Sequence, residues 1–220
     1  MKWSLTSYFI VTVLATASAQ PMAKLSELGA YAIPYASESN RIELEVVNST
    51  TGSLKDVSVH LDANPIWLTF ETTTAGIGVL EPGESKTALF TFDLDEEAPV
   101  GEVTDLRFDI SSASGQLDTK TIRIESEAPT ELMLRGNYPN PFNPTTKIAY
   151  ALPNDGNVRI EVFNSIGQRV ARIVDSIRKA GYQEVSWNAT TFPNGVYFYS
   201  VELKADAKRR VKLGKMVVVK

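Results

Sequence analysis

The sequence predicts an all-β protein, two tandem β-sandwiches that follow a cleaved signal peptide. Three observations favour this class. Apolar and polar residues alternate from about residue 40 onward, Gly and Pro turns punctuate the alternation, and no amphipathic helical period stands out. Short strands at regular spacing with such turns are typical of sandwiches of immunoglobulin-like size. The chain has 220 residues, 43% of them hydrophobic, which is enough to bury one or two ordinary cores.

The first 19 residues have the three parts of a secretory signal peptide. Lys2 supplies a positive charge, an apolar stretch covers residues 8–17, and Ala17-Ser18-Ala19 has the pattern that signal peptidase cleaves. The apolar stretch is too short to cross about 30 Å of hydrocarbon, and no later stretch is longer. We therefore predict cleavage after Ala19 (residues 1–19) and a mature chain without a transmembrane segment. A buried first strand is the alternative interpretation of the same residues.

Alternation in the first half predicts strands at 42–46, 57–61, 88–94, 106–110 and 122–124. Turn signals separate them at 51–52, 81–84 and 114–115. Each strand is expected to turn one face to a core and the other to water. Residues 20–126 thus form the first predicted sandwich, an immunoglobulin-like domain. A proline, Pro129, and the end of the alternation predict a linker at 127–136.

The second half opens with Pro139, Pro141 and Pro144, which favour a stiff extended segment and exclude a helix. Alternation then predicts strands at 148–152, 158–162, 185–187, 196–203 and 216–219. Turns are expected at 153–156, 164–167 and 193–195. Residues 137–220 therefore form the second predicted sandwich.

The composition excludes much enzyme chemistry. The chain has no cysteine, so disulfides, thiolate zinc sites and cysteine nucleophiles are excluded. His60 is the only histidine, and its place in an alternating strand opposite the apolar set predicts an exposed side chain. Glycoside hydrolysis needs two carboxylates across a cleft, for which one small sandwich has little room. We expect a non-enzymatic protein with no catalytic or metal-binding residues and no cofactor.

The densest acidic cluster consists of Asp93, Asp95, Glu96 and Glu97. Calcium binds through several oxygen ligands, some of which this run could supply. The spacing matches no EF-hand loop, however, and acidic residues at a strand end are usually solvated. Whether calcium binds here is left open by the sequence.

Charge is divided unevenly along the chain, whose net charge is -4. Residues 20–136 carry 20 acidic and 8 basic side chains, whereas residues 137–220 carry 6 acidic and 13 basic ones. The basic side chains near the C-terminus are Lys204, Lys208, Arg209, Arg210, Lys212 and Lys215. Such clusters often bind nucleic acid, but no DNA- or RNA-binding module is present. Two interpretations of these residues remain, a solvated hairpin and a surface that attracts an anionic partner.

Short motifs run in a fixed order through residues 137–220. The segment 137–146 reads Asn-Tyr-Pro-Asn-Pro-Phe-Asn-Pro-Thr-Thr, and further motifs follow at 152–153, 162–164, 167–170, 180–181, 194–199 and 215–220. Their order and spacing resemble the type A C-terminal sorting domain of the type IX secretion system of Gram-negative bacteria. The immunoglobulin-like domain of flagellar hook-capping proteins shares part of the pattern. The signal peptide and the C-terminal position favour the sorting domain.

The resemblance assigns a sorting motif. Its residues are Asn137, Tyr138, Pro139, Asn140, Pro141, Phe142, Asn143, Pro144, Gly167, Gly181, Gly195, Val196, Tyr197, Lys215 and Lys220. It also implies a route, in which the chain folds in the periplasm and the outer-membrane machinery recognises its C-terminal domain. In the family that domain is commonly removed, and the cargo can be joined to lipopolysaccharide. The expected location is therefore secreted or on the outer-membrane cell surface.

Residues 40–125 resemble more weakly the accessory immunoglobulin-like domains of secreted hydrolases. The similarity lies in 77–85, 90–92 and 98–102, with Trp67 ahead of Phe70. The alternative function is thus a small module that binds a glycan or a partner protein through the first sandwich.

Overall fold

The computed structural model describes Thr12–Leu14 and residues 29–220. Within these ranges the chain forms strands and turns and no helix, so the all-β prediction is confirmed. The chain divides into two compact units, one extending to Asp95 and including Gly101–Glu127, the other made of Glu96–Val100 and Ala128–Lys220. No helix in the described part has the length and hydropathy of a membrane span.

The first unit contains nine of the described strands in two sheets. They are β1 (Thr12–Leu14), β2 (Tyr31–Ile33), β3 (Asn40–Val47), β4 (Leu54–Leu61), β5 (Leu68–Phe70), β6 (Thr74–Leu80), β7 (Ser85–Leu94), β8 (Val103–Ser112) and β9 (Gly115–Ser126). The sheet orders are β1-β3-β7-β5 and β2-β9-β8-β4-β6. Neighbouring strands are antiparallel except β2 and β9.

Alternation explains the core of this unit. Ile42 and Leu44 on β3 are buried, as are Phe90 on β7 and Phe108 on β8. The Phe90 and Phe108 rings lie 4.9 Å apart and join the two sheets. His60 is exposed, as the alternation predicted, and its Nδ1 lies 2.9 Å from the hydroxyl of Thr74.

Only three described residues lie within the predicted signal peptide. Thr12–Leu14, inside the predicted apolar part of the signal peptide, form β1, which pairs antiparallel with β3 so that Leu14 lies opposite Glu43. Ala17 and Ala19 lie outside the described residues, so the cleavage site stays a prediction.

The second unit contains seven strands in two antiparallel sheets. They are β10 (Met133–Tyr138), β11 (Thr145–Leu152), β12 (Gly156–Phe163), β13 (Arg169–Arg178), β14 (Gly181–Asn188), β15 (Gly195–Ala205) and β16 (Lys208–Val218). The sheet orders are β10-β11-β14 and β13-β12-β15-β16. Both sheets contribute to one core, in which Ile148 and Tyr150 of β11 cluster with Ile160 of β12 and Tyr199 of β15.

The linker is shorter than the sequence suggested. Strand β10 begins at Met133, within the predicted linker 127–136, and only 127–132 lack strand structure. Leu132 is buried in the core of the second unit, and Leu134 packs against it. Leu132 is buried and Leu134 is partly buried, and this burial holds the segment in place. The turn signals in the sequence do not indicate it.

The acidic cluster does not form a common site. Asp93 accepts a hydrogen bond from the backbone N–H of Ser39 at 2.7 Å, and Glu96 forms an ion pair with Arg135. In the described ranges, no group of three or more His, Cys, Asp or Glu side chains is placed to hold a metal ion.

Candidate functional site

The segment 139–144 lies along the outer edge of β16, and we call it the edge cap. The Asn140 side-chain amide donates from Nδ2 to the Lys215 carbonyl at 3.2 Å. Its Oδ1 accepts a hydrogen bond from the Val217 N–H at 3.0 Å. One asparagine side chain therefore satisfies two backbone groups that a neighbouring strand would otherwise satisfy.

The backbone of the edge cap continues this pairing. Phe142 donates its N–H to the Val217 carbonyl at 3.0 Å, and the Val219 N–H donates to the Phe142 carbonyl at 3.0 Å. The prolines of the cap have no N–H, so the cap cannot serve as a further strand for another chain to extend. The motif thus terminates the sheet over residues 215–219.

Buried Thr146 fixes the path of the edge cap. Its hydroxyl donates to the Pro139 carbonyl at 2.8 Å and accepts from Asn137 Nδ2 at 3.0 Å. The Pro144 carbonyl accepts a hydrogen bond from the Ala189 N–H at 2.8 Å. These contacts leave the side chain of Tyr138 84% exposed beside the cap.

Aromatic packing anchors the cap to the core. Phe142 is 2% exposed, and its ring centroid lies 5.6 Å from that of Trp187. Trp187 also contacts Phe192 at 5.4 Å and Tyr197 at 5.7 Å. The Tyr197 hydroxyl donates to the Pro193 carbonyl at 2.9 Å, which satisfies its one polar atom.

The terminal lysine lies at the same end of the unit. Lys220 Nζ donates to the carbonyls of Thr190 and Phe192 at 2.7 and 2.6 Å. The structure therefore brings together the motif residues Asn140, Phe142, Tyr197, Lys215 and Lys220, together with their immediate neighbours.

The remaining motif residues are distributed elsewhere on the unit. Gly167 and Gly181 have φ values of +80° and +94° in the turn before β13 and at the start of β14, conformations that favour glycine. Gly195 opens β15, and Val196 beside it is 41% exposed on the outer face of the sheet. Asn143 is exposed, and its side chain has no hydrogen-bond partner in the described structure.

Gly214 is a site residue that the motif analysis missed. A Cβ at this position would overlap the ring of Tyr199, which is 1% exposed. The close approach of β16 to a buried tyrosine therefore requires glycine. An isolated glycine inside a strand pattern is a recognised signal for such an approach and could have identified it.

Ion pairs cover part of the outer face of the second sheet. Glu202, 9% exposed, accepts a hydrogen bond from Arg209 at 2.7 Å and lies 3.3 Å from Lys204. The Arg209 hydrogen bond holds the pKa of Glu202 below its ordinary value. Burial alone would raise the pKa of Glu161, but its contacts with two arginines outweigh burial and lower it.

The C-terminal unit matches a known family. Residues 137–218 match the family described as "Secretion system C-terminal sorting domain". No curated protein matches the chain.

Solved structures resemble the chain only distantly. Dimeric latent PorU from Porphyromonas gingivalis is 13% identical with a TM-score of 0.35, covering 96% of this chain and 20% of its own length. The CupB2 chaperone of Pseudomonas aeruginosa is 10% identical with a TM-score of 0.31, covering 86% of this chain and 97% of its own. The serine protease VesC of Vibrio cholerae is 11% identical with a TM-score of 0.32, covering 86% of this chain and 50% of its own. The chain thus spans about a fifth of the length of PorU.

The family match and the motif geometry concern the same residues. The match starts at the asparagine that bonds Thr146 and ends at Val218, the last residue of β16. A C-terminal tail of this kind implies export and a location on the cell surface or outside the cell. Residues 137–218 of this chain belong to the family of secretion system C-terminal sorting domains.

Proposed function

We propose that the chain is a non-enzymatic exported protein that the type IX machinery recognises through its C-terminal unit and attaches to the cell surface. The observation that carries the proposal is the sorting-domain match at 137–218. It falls on a unit with its own buried core, so the signal can be folded and presented independently of the cargo.

The end of the unit that holds the edge cap is the proposed recognition surface. Tyr138 is 84% exposed and Val219 48% exposed, and the side chains of Asn140 and Lys215 also face solvent. The buried Phe142 and the hydrogen bonds of the cap hold these groups in fixed positions. A preorganised surface of this kind loses little conformational entropy when a receptor binds it.

The non-enzymatic part of the proposal rests on the side chains available. The chain lacks cysteine and has one histidine, His60, which is exposed and bonded to Thr74. Surface attachment, which the family resemblance connects with lipopolysaccharide, belongs to the same proposal, and the excess of basic residues in 137–220 is compatible with an anionic partner.

The alternative of a glycan-binding first unit lacks the feature that would favour it. Sugar-binding sandwiches commonly have exposed aromatic rings, because the face of an aromatic ring packs well against the apolar face of a sugar. In the described part of the first unit, the exposed large apolar side chains are Ile66, Val79 and Leu89, none of them aromatic.

Expression of the full chain in a Gram-negative bacterium with type IX machinery tests the proposal. We expect the protein at the surface, where added protease degrades it in intact cells, and retention in the periplasm of an isogenic strain that lacks the outer-membrane translocon. Equal surface exposure in both strains would contradict recognition by this machinery. Release into the medium with no surface-bound fraction would contradict attachment alone.

A further inference from the structure

The outer edge of β16 is covered over only half its length. Backbone groups alternate between the two sides of a strand, and those of Val217 point outward to the edge cap. The register with β15 is continuous, so the backbone groups of Val211 and Leu213 point outward as well. In the described structure these groups have no hydrogen-bond partner. Residues 209–213 thus form an open edge of the sheet.

Side chains of two kinds alternate along the open edge. Val211 and Leu213 lie on the outer face, 41% and 74% exposed. Arg210 and Lys212 point to the other side, where Lys212 lies 3.3 Å from the exposed Glu131. The Nη1 atom of Arg210 is buried and has no hydrogen-bond partner among the described residues. A buried guanidinium nitrogen without an acceptor is unfavourable, and a carboxylate is the acceptor that suits it best.

We propose that the open edge binds an extended segment of a partner protein in which acidic and apolar residues alternate. Its backbone would pair with Val211 and Leu213, as in strand addition to other exposed sheet edges. Its acidic side chains would lie beside Arg210 and Lys212, and its apolar side chains beside the two exposed apolar residues. The alternation of the partner mirrors the alternation of β16.

A second copy of the same edge does not meet these requirements. Two such edges that pair antiparallel about Val211 would place Arg210 of one copy opposite Lys212 of the other. Like charges directly opposite one another destabilise a strand pair. Lysines on an edge are a common device against self-association, and here they leave the edge open to an acidic partner.

Binding of a labelled peptide to the purified full chain tests the inference. The probe is a capped peptide of alternating valine and glutamate, followed by fluorescence anisotropy. We expect saturable binding that weakens with added salt. A peptide with lysine in place of glutamate, and a glutamate peptide with alternate amides N-methylated, should not bind. Binding of either control as tight as that of the probe would overturn the inference, as would no saturable binding of the probe.

Two variants locate the binding on the edge. Val211→Pro removes an outward N–H that the protein does not use, a position at which an edge strand tolerates proline. Lys212→Glu reverses an exposed charge. We expect each to weaken binding about tenfold, and Arg123→Glu, an exposed charge reversal in the first unit, to leave it unchanged.

Circular dichroism verifies that each variant folds. If Val211→Pro does not fold, binding by Lys212→Glu alone decides whether the inference holds. Unchanged binding in the folded variants would overturn the inference. So would a salt-resistant dimer of the unmodified chain that Val211→Pro dissociates, because the occupant would then be a second copy. The inference goes beyond the proposed function, since these measurements use purified protein and do not depend on export.

Discussion

At the scale of single residues, the tightest constraint in the second unit is the contact between Gly214 and Tyr199. A methyl group on Gly214 would occupy the space of the tyrosine ring, and the ring is buried on all sides. We therefore expect Gly214→Ala to lower the free energy of unfolding of the second unit by about 1–3 kcal/mol, the usual effect of overpacking. Urea unfolding followed by circular dichroism measures this change.

The control for this prediction is Gly76→Ala in β6. A Cβ added at Gly76 would have no neighbouring atom within 4 Å, and Gly76 is exposed. This variant should change stability by about 0.5 kcal/mol or less. Equal stability of the two variants would show that Tyr199 moves aside without strain.

Asn140 and Asn143 provide a matched pair within one motif. Asn140→Ala removes two hydrogen bonds to β16, whereas Asn143→Ala removes none in the described structure. We expect a loss of about 1 kcal/mol from the first variant, because the bonds are partly solvated, and almost none from the second. Amide hydrogen exchange of Val217 gives a local readout, and it should accelerate in Asn140→Ala alone.

At the scale of elements, the sequence predicted strands well where both the period and the burial are strong. Strands β7 and β8 carry alternating buried side chains such as Phe90 and Phe108, and both were predicted. Strand β13 was missed because, of its ten residues, only Val174 is buried. Strand β16 was predicted from residue 216 onward, but it begins at Lys208. Its first half was missed because it is a cationic edge with no buried apolar residue. The extent of an edge strand depends more on pairing with the neighbouring strand than on its own hydrophobic pattern.

The hairpin of β15 and β16 contains an acid-sensitive ion pair. Hydrogen bonding to Arg209 lowers the pKa of Glu202 below its ordinary 4.5, so the folded state favours the charged form. The resulting stability is complete above pH 4.5 and is lost as the pH falls through the lowered folded pKa. Arg209 is 66% exposed, so solvent screening limits the contribution to about 1 kcal/mol or less.

Glu202→Gln tests this contribution. At pH 7 the variant should unfold at a lower urea concentration than the unmodified chain, and the difference should shrink as the pH falls below 4.5. Glu131→Gln, at the 68% exposed partner of Lys212, serves as the control and should differ little throughout this range. A difference for Glu202→Gln that does not change with pH would mean that packing, not charge, explains it.

At the scale of the whole molecule, the motif residues were identified from sequence order, but their interactions were not. The sequence placed Asn140 and Lys220 in one motif set across 80 residues of chain. It gave no indication that an asparagine side chain would substitute for a strand or that Lys220 would bind two carbonyls. Such contacts depend on loop conformation, which the hydrophobic period does not encode. The unequal charge of the two halves was visible in the sequence, whereas the open edge of β16 required the strand register.

Export of the full chain separates the fold of the C-terminal unit from its recognition. Deleting residues 215–220 removes Met216 and Val218, both buried in the core, so the second unit should unfold and export should fail for that reason alone.

Lys220→Met leaves the core intact and removes two exposed hydrogen bonds, a change of about 1 kcal/mol or less. If the machinery reads the end of the unit that holds the edge cap, Lys220→Met should reduce the surface fraction severalfold while the purified protein stays folded. Lys179→Met, at a lysine 84% exposed on another turn, should export normally. Export of Lys220→Met at the control level would place recognition elsewhere on the unit.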